Sequence, residues 1–394
     1  MSSTLLRSIS RCLAAVLPLT VLTTADTFAD QPDHAPGKGA RVVKQILPKR
    51  ILQIESQGAR AFGGTKVFNP ADPSGSRFLS CDHGYVDWQI PPRARKTPLV
   101  FTHGSGTRVY QTTYDGRPGM QQLFLGEGYP TYVVDLPGTG RAGQGCTQYT
   151  YTPNLNANTV FENRIGTWPL GQPQPTYFPG VAFPRDPEAL NQDLRTQYPE
   201  FNAQAHVEVE ATGLAVLLED IYAEGRGKSI VFSHSSGGVR GFRVGLKTDK
   251  IAGHVSFEPA NAFFPQGEEP MIKRTDGTLV PAANSPSVPL EEFMKLTKYP
   301  QLIIWGDNIP HEVDPTSTTE PALSVRAERF KLMAAAINKY GGNAVNLYLT
   351  QEGVFGNTHR IMADTNYTQV TYLIEQWIEK EGLARPEKEG RGRR

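Results

Sequence analysis

The stretch Ile230-Val231-Phe232-Ser233-His234-Ser235-Ser236-Gly237-Gly238 sets an apolar run directly against three serines, a histidine and a glycine pair. The apolar run reads as a buried strand, and the glycines open the helix that the following residues continue. A strand that turns so tightly into a helix forces unfavourable backbone angles on the residue at its apex. The positions two before and two after that residue must then be small. Centring the turn on Ser233 puts Val231 at a flank, and centring it on Ser236 puts His234 there. Only Ser235 has small flanks on both sides, Ser233 and Gly237. Ser235 is the candidate nucleophile, with Ser233 standing where glycine is the commoner residue.

The helix that follows matters chemically, because its N-terminus offers N–H groups and positive potential to a developing oxyanion. The N–H of Ser236 is one candidate donor. A second should come from the turn after an earlier strand. Phe101-Thr102-His103-Gly104-Ser105-Gly106-Thr107 suits that role, since its glycines let the backbone approach a substrate. The N–H of Ser105 is the candidate, with Gly104 or Gly106 as alternatives.

A serine hydroxyl needs a base, and the chain has eight histidines. His34 lies in the Pro- and Gly-rich start, His83 near an early antiparallel segment, and His311 in a polar loop. His103 and His234 adjoin the two turns and are expected to shape them, while His206 and His254 fall at helix and strand positions. His359 is different: it lies in Gly353-Val354-Phe355-Gly356-Asn357-Thr358-His359, between the last strand and the last helix. It is the candidate base. An acid should orient its ring and stabilise its charged form. Glu258 follows Val255-Ser256-Phe257 at a strand end, and a carboxylate between Phe257 and Pro259 is hard to explain as surface decoration. Asp307, in the loop after Gln301–Trp305, is the alternative, although position 309, three residues after Gly306 in that loop, is Ile rather than an acid.

Around these residues, short apolar runs alternate with helical stripes. Strands are expected over 51–56, 84–90, 98–104 and 131–138, and again at Lys228–Phe232, Gly253–Phe257, Gln301–Trp305 and Ala344–Thr350. Helices are expected between 115 and 129, at 207–222, from about Gly238, near 323–340, and on the face made by Val370, Leu373, Ile374, Trp377 and Ile378. Continuous apolar strands alternating with helices predict an α/β fold, a mostly parallel sheet covered on both faces with an antiparallel start at one edge. The connections at about 139–205 and 260–299 are too long for turns and read as lid-like insertions. The first is rich in Pro, Tyr and Asn and holds Trp168, Tyr177, Phe178 and Phe183, residues that could line an apolar pocket or form a small core of their own.

The 394 residues are 39% hydrophobic and 20% charged, with a formal net charge of +1. That suits one large core and gives no long-range field to draw in nucleic acid or an anionic membrane. Residues 1–29 read as a signal peptide. Arg7 and Arg11 precede the apolar Cys12–Thr23, which is too short to span a bilayer, and small residues follow at Thr27 and Ala29. A secreted or periplasmic protein without stable membrane insertion is expected. Cys81 and Cys146 remain after cleavage, and two cysteines in an exported chain suggest a disulfide. Residues 385–394 read as a solvated tail. No dissociable cofactor or metal is expected: no Cys or His cluster has ligand spacing, and the glycines at 104, 106, 138 and 140 do not make a dinucleotide fingerprint.

Five segments carry a resemblance. "FTHGSG", "TTYDGRPGMQQLFLGEGYPTYVVDLPGTGRAG", "SHSSGG", "VSFEP" and "GNTHRIMADTNYTQVTYLIEQWI" are similar to a family of exported α/β-hydrolase carboxylesterases, in order across roughly residues 50–380. The resemblance implies an α/β-hydrolase fold over residues 30–384 and a Ser-Glu-His triad, with the Glu after the strand following the nucleophile. It assigns Ser235 as nucleophile, Glu258 as acid and His359 as base, acting on a small-molecule ester. The residues leave open amide, lactone or polyester cleavage on the same scaffold, and a binding protein that has kept the fold without the chemistry.

Overall fold

The computed structural model describes residues 43–102, 104, 106–143, 145–146, 177–196, 204–307, 309 and 323–384. Within them, β1 (Ser56–Phe68), β2 (Phe78–Ile90), β3 (Leu99–Phe101), β4 (Thr131–Asp135), β5 (Ser229–His234), β6 (Ile251–Phe257), β9 (Gln301–Trp305) and β10 (Ala344–Tyr348) form one sheet. A separate hairpin pairs β7 (Met271–Lys273) with β8 (Leu279–Pro281). The helices are α1 (Arg108–Gln111), α2 (Met120–Gly126), α3 (Pro187–Thr196), α4 (Gln204–Ala223), α5 (Gly237–Lys247), α6 (Leu290–Phe293), α7 (Leu323–Lys339) and α8 (Tyr367–Lys380).

The large sheet has the order β1-β2-β4-β3-β5-β6-β9-β10. The first two pairings are antiparallel and the rest parallel. Central strands bury both faces, which is why they read as unbroken apolar runs. Val100, Val231 and Ile303 enter a core with α4, α5 and α7 on one side. Phe101, Phe232 and Ile304 enter a second core with α1, α2 and α8 on the other. This is the expected mostly parallel sheet with two helical layers.

Several boundaries differ from the reading of the sequence: β3, β4 and β10 end at Phe101, Asp135 and Tyr348, short of 104, 138 and 350, and two strands differ more widely. The first strand begins at Ser56 rather than Ile51, and Ile51 is exposed. The ladder opens only where the Glu55 N–H reaches the Ile90 carbonyl, at 2.8 Å. From there β1 runs on through Gly63 and Gly64, both at positive φ. That glycine pair hid the strand, since glycine inside a strand normally weakens it. Here a Cβ at Gly64 would stand 3.0 Å from the Cys81 carbonyl, so close cross-strand approach requires it. β2 likewise starts six residues before the expected Gly84.

Among the described parts of the long connections, Phe183 is buried in the second core, and Tyr177 packs against it. Phe263, Phe264, Ile272, Ala282, Val288 and Phe293, from the 260–299 connection, are buried in the first core. Cys81 and Cys146 form a disulfide, with Cα atoms 5.0 Å apart, and Asp82 Oδ1 accepts the Cys146 N–H at 2.9 Å. No helix among the described residues is long and apolar enough to cross a membrane. The expected signal peptide, the solvated tail and Trp168 lie outside the described residues.

Candidate active site

Ser235 sits between the last residue of β5, His234, and the first of α5, Gly237. Its φ is 53°, a region that costs a non-glycine residue on the order of 1–3 kcal/mol. Such an angle persists only if the surroundings over-determine it, and here they do. The Ser235 N–H donates to the Phe257 carbonyl at 3.0 Å, while its own carbonyl accepts from Gly238 at 2.9 Å and Ala260 at 2.8 Å. A Cβ at Gly238 would lie 2.4 Å from that of Pro259, so the helix start can approach β6 only as glycine. Ser233, the departure from glycine at the flank, is fully buried, and its Oγ lies 2.8 Å from both His254 Nε2 and Ser256 Oγ. The larger flank is tolerated because its hydroxyl has partners beneath the turn.

The three candidates from strand end, loop and turn come together. His359 Nε2 is 3.0 Å from Ser235 Oγ, and His359 Nδ1 is 2.6 Å from Glu258 Oε2. Glu258 is fully buried and His359 nearly so, while Ser235 is half-buried. Glu258 also has positive φ, 39°, at the C-terminal edge of β6, and its Oε1 accepts the Gly306 N–H at 2.9 Å. A Cβ at residue 306 would stand 2.9 Å from that same oxygen, so glycine is needed for the carboxylate to enter. Burial pushes the Glu258 carboxyl up, to about 8, while the Gly306 N–H and the Arg326 guanidinium pull it down.

The loop carrying His359 is tied down by groups most of which the sequence did not single out. Asp364, fully buried, accepts the Thr358 N–H at 2.7 Å and the Thr358 hydroxyl at 2.9 Å. Its place five residues beyond His359, in a polar turn ahead of a helix, was the available signal. Asp307, the alternative acid, accepts the Gly356 N–H at 2.8 Å and so shapes the loop. Arg360 Nε donates to the buried Asp193 of α3 at 3.1 Å, joining the far end of the first long connection to the residue beside His359. His234 and His254 are buried, as is His206, whose Nε2 lies 3.5 Å from Glu210. Burial pushes His254 down, to about 3, and holds His234 well below the usual imidazole range.

Of the two expected oxyanion donors, Ser236 is the residue immediately before α5, beside Ser235. Ser105 lies outside the described residues. Thr102, three residues before it and directly after β3, is fixed to β5, with both its N–H and its hydroxyl donating to the Phe232 carbonyl at 2.8 and 2.9 Å.

A hydroxyl, an imidazole and a carboxylate in one hydrogen-bonded line can perform nucleophilic acyl transfer. No protein-family model matches the chain. It is 26% identical over 331 residues to a protein described as "Probable secreted lipase phiG" from Fungal sp. (strain ATCC 74256), covering 75% of this chain and 86% of that one. Among solved structures it is similar to a bacterial esterase determined at atomic resolution, with 25% identity and a TM-score of 0.64, covering 85% of this chain and 98% of the other. The chain has the α/β-hydrolase fold, and its likeness in sequence and structure is to esterases and lipases of that fold.

Proposed function

We propose that this α/β hydrolase is a secreted serine esterase that cleaves carboxylic esters through an acyl-enzyme. The observation that carries the reading is the Ser235–His359–Glu258 line, at 3.0 and 2.6 Å, with the serine held at an otherwise unfavourable φ. Nε2 must lack a proton to accept one from Ser235, so the neutral ring carries its proton on Nδ1. Glu258 receives that N–H at 2.6 Å, a bond that holds it as the carboxylate against the upward push of its burial.

Ser235 Oγ attacks the ester carbonyl as its proton passes to His359 Nε2. Glu258 stabilises the imidazolium, and the oxyanion rests on the N–H groups of Ser236 and Ser105. His359 then protonates the leaving alcohol. The same ring draws a proton from water, which attacks the acyl group and frees Ser235. The names of its relatives support an ester as substrate and secretion as destination. The disulfide suits an oxidising compartment. On this reading residues 1–29 are a removed signal, and the hydrolase domain spans 30–384, with the connections at 139–205 and 260–299 as insertions in it.

The test is hydrolysis of short p-nitrophenyl esters by Ser235→Ala. The variant should fold with an unchanged melting temperature and lose turnover. Retention of full activity would refute the proposal.

A further inference from the structure

One buried imidazole beside the reacting groups has no part in the chemistry above. His234 is the last residue of β5, directly precedes Ser235, and is fully buried. Its Nε2 lies 2.7 Å from the main-chain carbonyl oxygen of His359, and the two rings have centroids 4.5 Å apart. A carbonyl oxygen can only accept, so Nε2 carries the proton and donates it. Desolvation and the nearby Arg360 and Arg326 guanidiniums hold this imidazole well below its usual range, so the bond to the carbonyl is made by a neutral ring with its one proton on Nε2.

The contact closes a short circuit. From the His359 carbonyl it passes through the His234 ring into the backbone that carries Ser235. From Ser235 Oγ it returns through 3.0 Å to Nε2 of His359. The nucleophile and the base come from elements 124 residues apart in sequence, and this bond ties their main chains at the point where their side chains must meet. Asp364 fixes the same loop through the adjacent Thr358. Two buried side chains, His234 and Asp364, thereby hold the main chain at and beside His359.

We infer that His234 is a positioning residue for His359: its Nε2–H fixes the His359 main chain so that one ring reaches Ser235 and Glu258 together. The inference rests on His359 being the base of the proposed esterase. A displacement of about 1 Å at such a site lowers turnover on the order of a hundredfold, so loss of the anchor should be read in kcat rather than in substrate binding.

The experiment compares His234→Leu, His234→Gln and His234→Asn, with kcat and KM measured on p-nitrophenyl butyrate and melting temperature measured beside them. The Gln amide reaches the position of Nε2 and can donate, whereas the Asn amide is too short and Leu has no donor. Leu and Asn should lose about a hundredfold in kcat with KM changed by no more than about twofold, and Gln should recover to within about tenfold of wild type. Should Leu not fold, the Gln–Asn pair decides alone, since both are polar and differ in reach. Equal kcat in Gln and Asn, or a folded Leu variant with wild-type kcat, overturns the inference. Labelling of wild-type Ser235 by a fluorophosphonate serves as the control. Normal labelling with equal variants removes the role of His234 alone, whereas absent labelling removes the esterase reading and this inference with it.

Discussion

Replacing Glu258 by Gln tests whether the carboxylate sets the tautomer of His359. The side chain keeps its size, and its amide orientation is fixed by the protein. The Gly306 N–H lies 2.9 Å from Oε1 and requires an acceptor there, so the amide oxygen takes that place. The amide nitrogen then occupies the position of Oε2, 2.6 Å from His359 Nδ1, and donates to it. The imidazole proton moves to Nε2, which faces Ser235 Oγ at 3.0 Å as a donor and cannot accept the hydroxyl proton.

Restoring the working tautomer means turning the amide over. Two buried polar groups, the Gly306 N–H and the Nδ1–H, would then face N–H groups instead of oxygens. At roughly 2–3 kcal/mol for each unsatisfied group, the barrier rises by about 4–6 kcal/mol, which is a loss of about 10³–10⁴ in kcat. Glu258→Asp keeps the charge and the tautomer, so it should lose far less, about a hundredfold, from the shorter reach. Steady-state hydrolysis of p-nitrophenyl butyrate, with circular dichroism to confirm the fold, measures both. A Gln variant within tenfold of wild type, or one more active than Asp, would refute the tautomer argument.

Other outcomes follow from the same geometry. Ser233→Ala keeps a small flank for the turn but strips His254 Nε2 and Ser256 Oγ of a buried partner. Urea denaturation should show a loss of about 2–3 kcal/mol, while kcat at low temperature stays within about twofold. As pH falls, the Glu258–His359 pair takes up one proton and the base is lost, so kcat/KM should fall along a single acid limb that belongs to the pair. His254 is held neutral down to about 3, whereas in the unfolded chain it takes a proton at 6.5. Its contribution to stability is therefore present above 6.5 and lost below it, by about 1.4 kcal/mol per pH unit. Denaturation at pH 6.5 and pH 4.5 should show a correspondingly shallower slope for His254→Gln. The disulfide closes a separation of 65 residues, and Cys81→Ser with Cys146→Ser should lower unfolding free energy by about 4 kcal/mol on the chain-entropy account.

The sequence disclosed the parts of this molecule in which local chemistry and global fold agree. Val231 and Phe232 are apolar because both faces of β5 are covered, and Ser235 was singled out because a strained turn tolerates only small flanks. Glu258 was legible because a carboxylate at the buried end of a strand needs a reason. Position 309 argued against the loop after β9 as the source of the acid, and Asp307 has a contact of its own with Gly356. What stayed hidden depends on contacts between distant segments. The reach of β1 through Gly63 and Gly64 needed cross-strand packing to become visible. The partners of Ser233, the bond from His234 to the His359 carbonyl and the link from Arg360 to Asp193 join residues whose spacing in the chain carries no period. Single residues such as Asp364 look like ordinary turn formers until the loop they hold is in place.

The central claim is that the hydroxyl at 235 is the activated nucleophile of an ester hydrolase. Incubation of the full chain with a fluorophosphonate, followed by peptide mass mapping, reads this directly. The account predicts one stoichiometric adduct on the peptide containing Ser235, slowed while a saturating ester competes for the hydroxyl and absent in Ser235→Ala. An unmodified Ser235 in a folded protein, or an adduct of equal yield in Ser235→Ala, would contradict it.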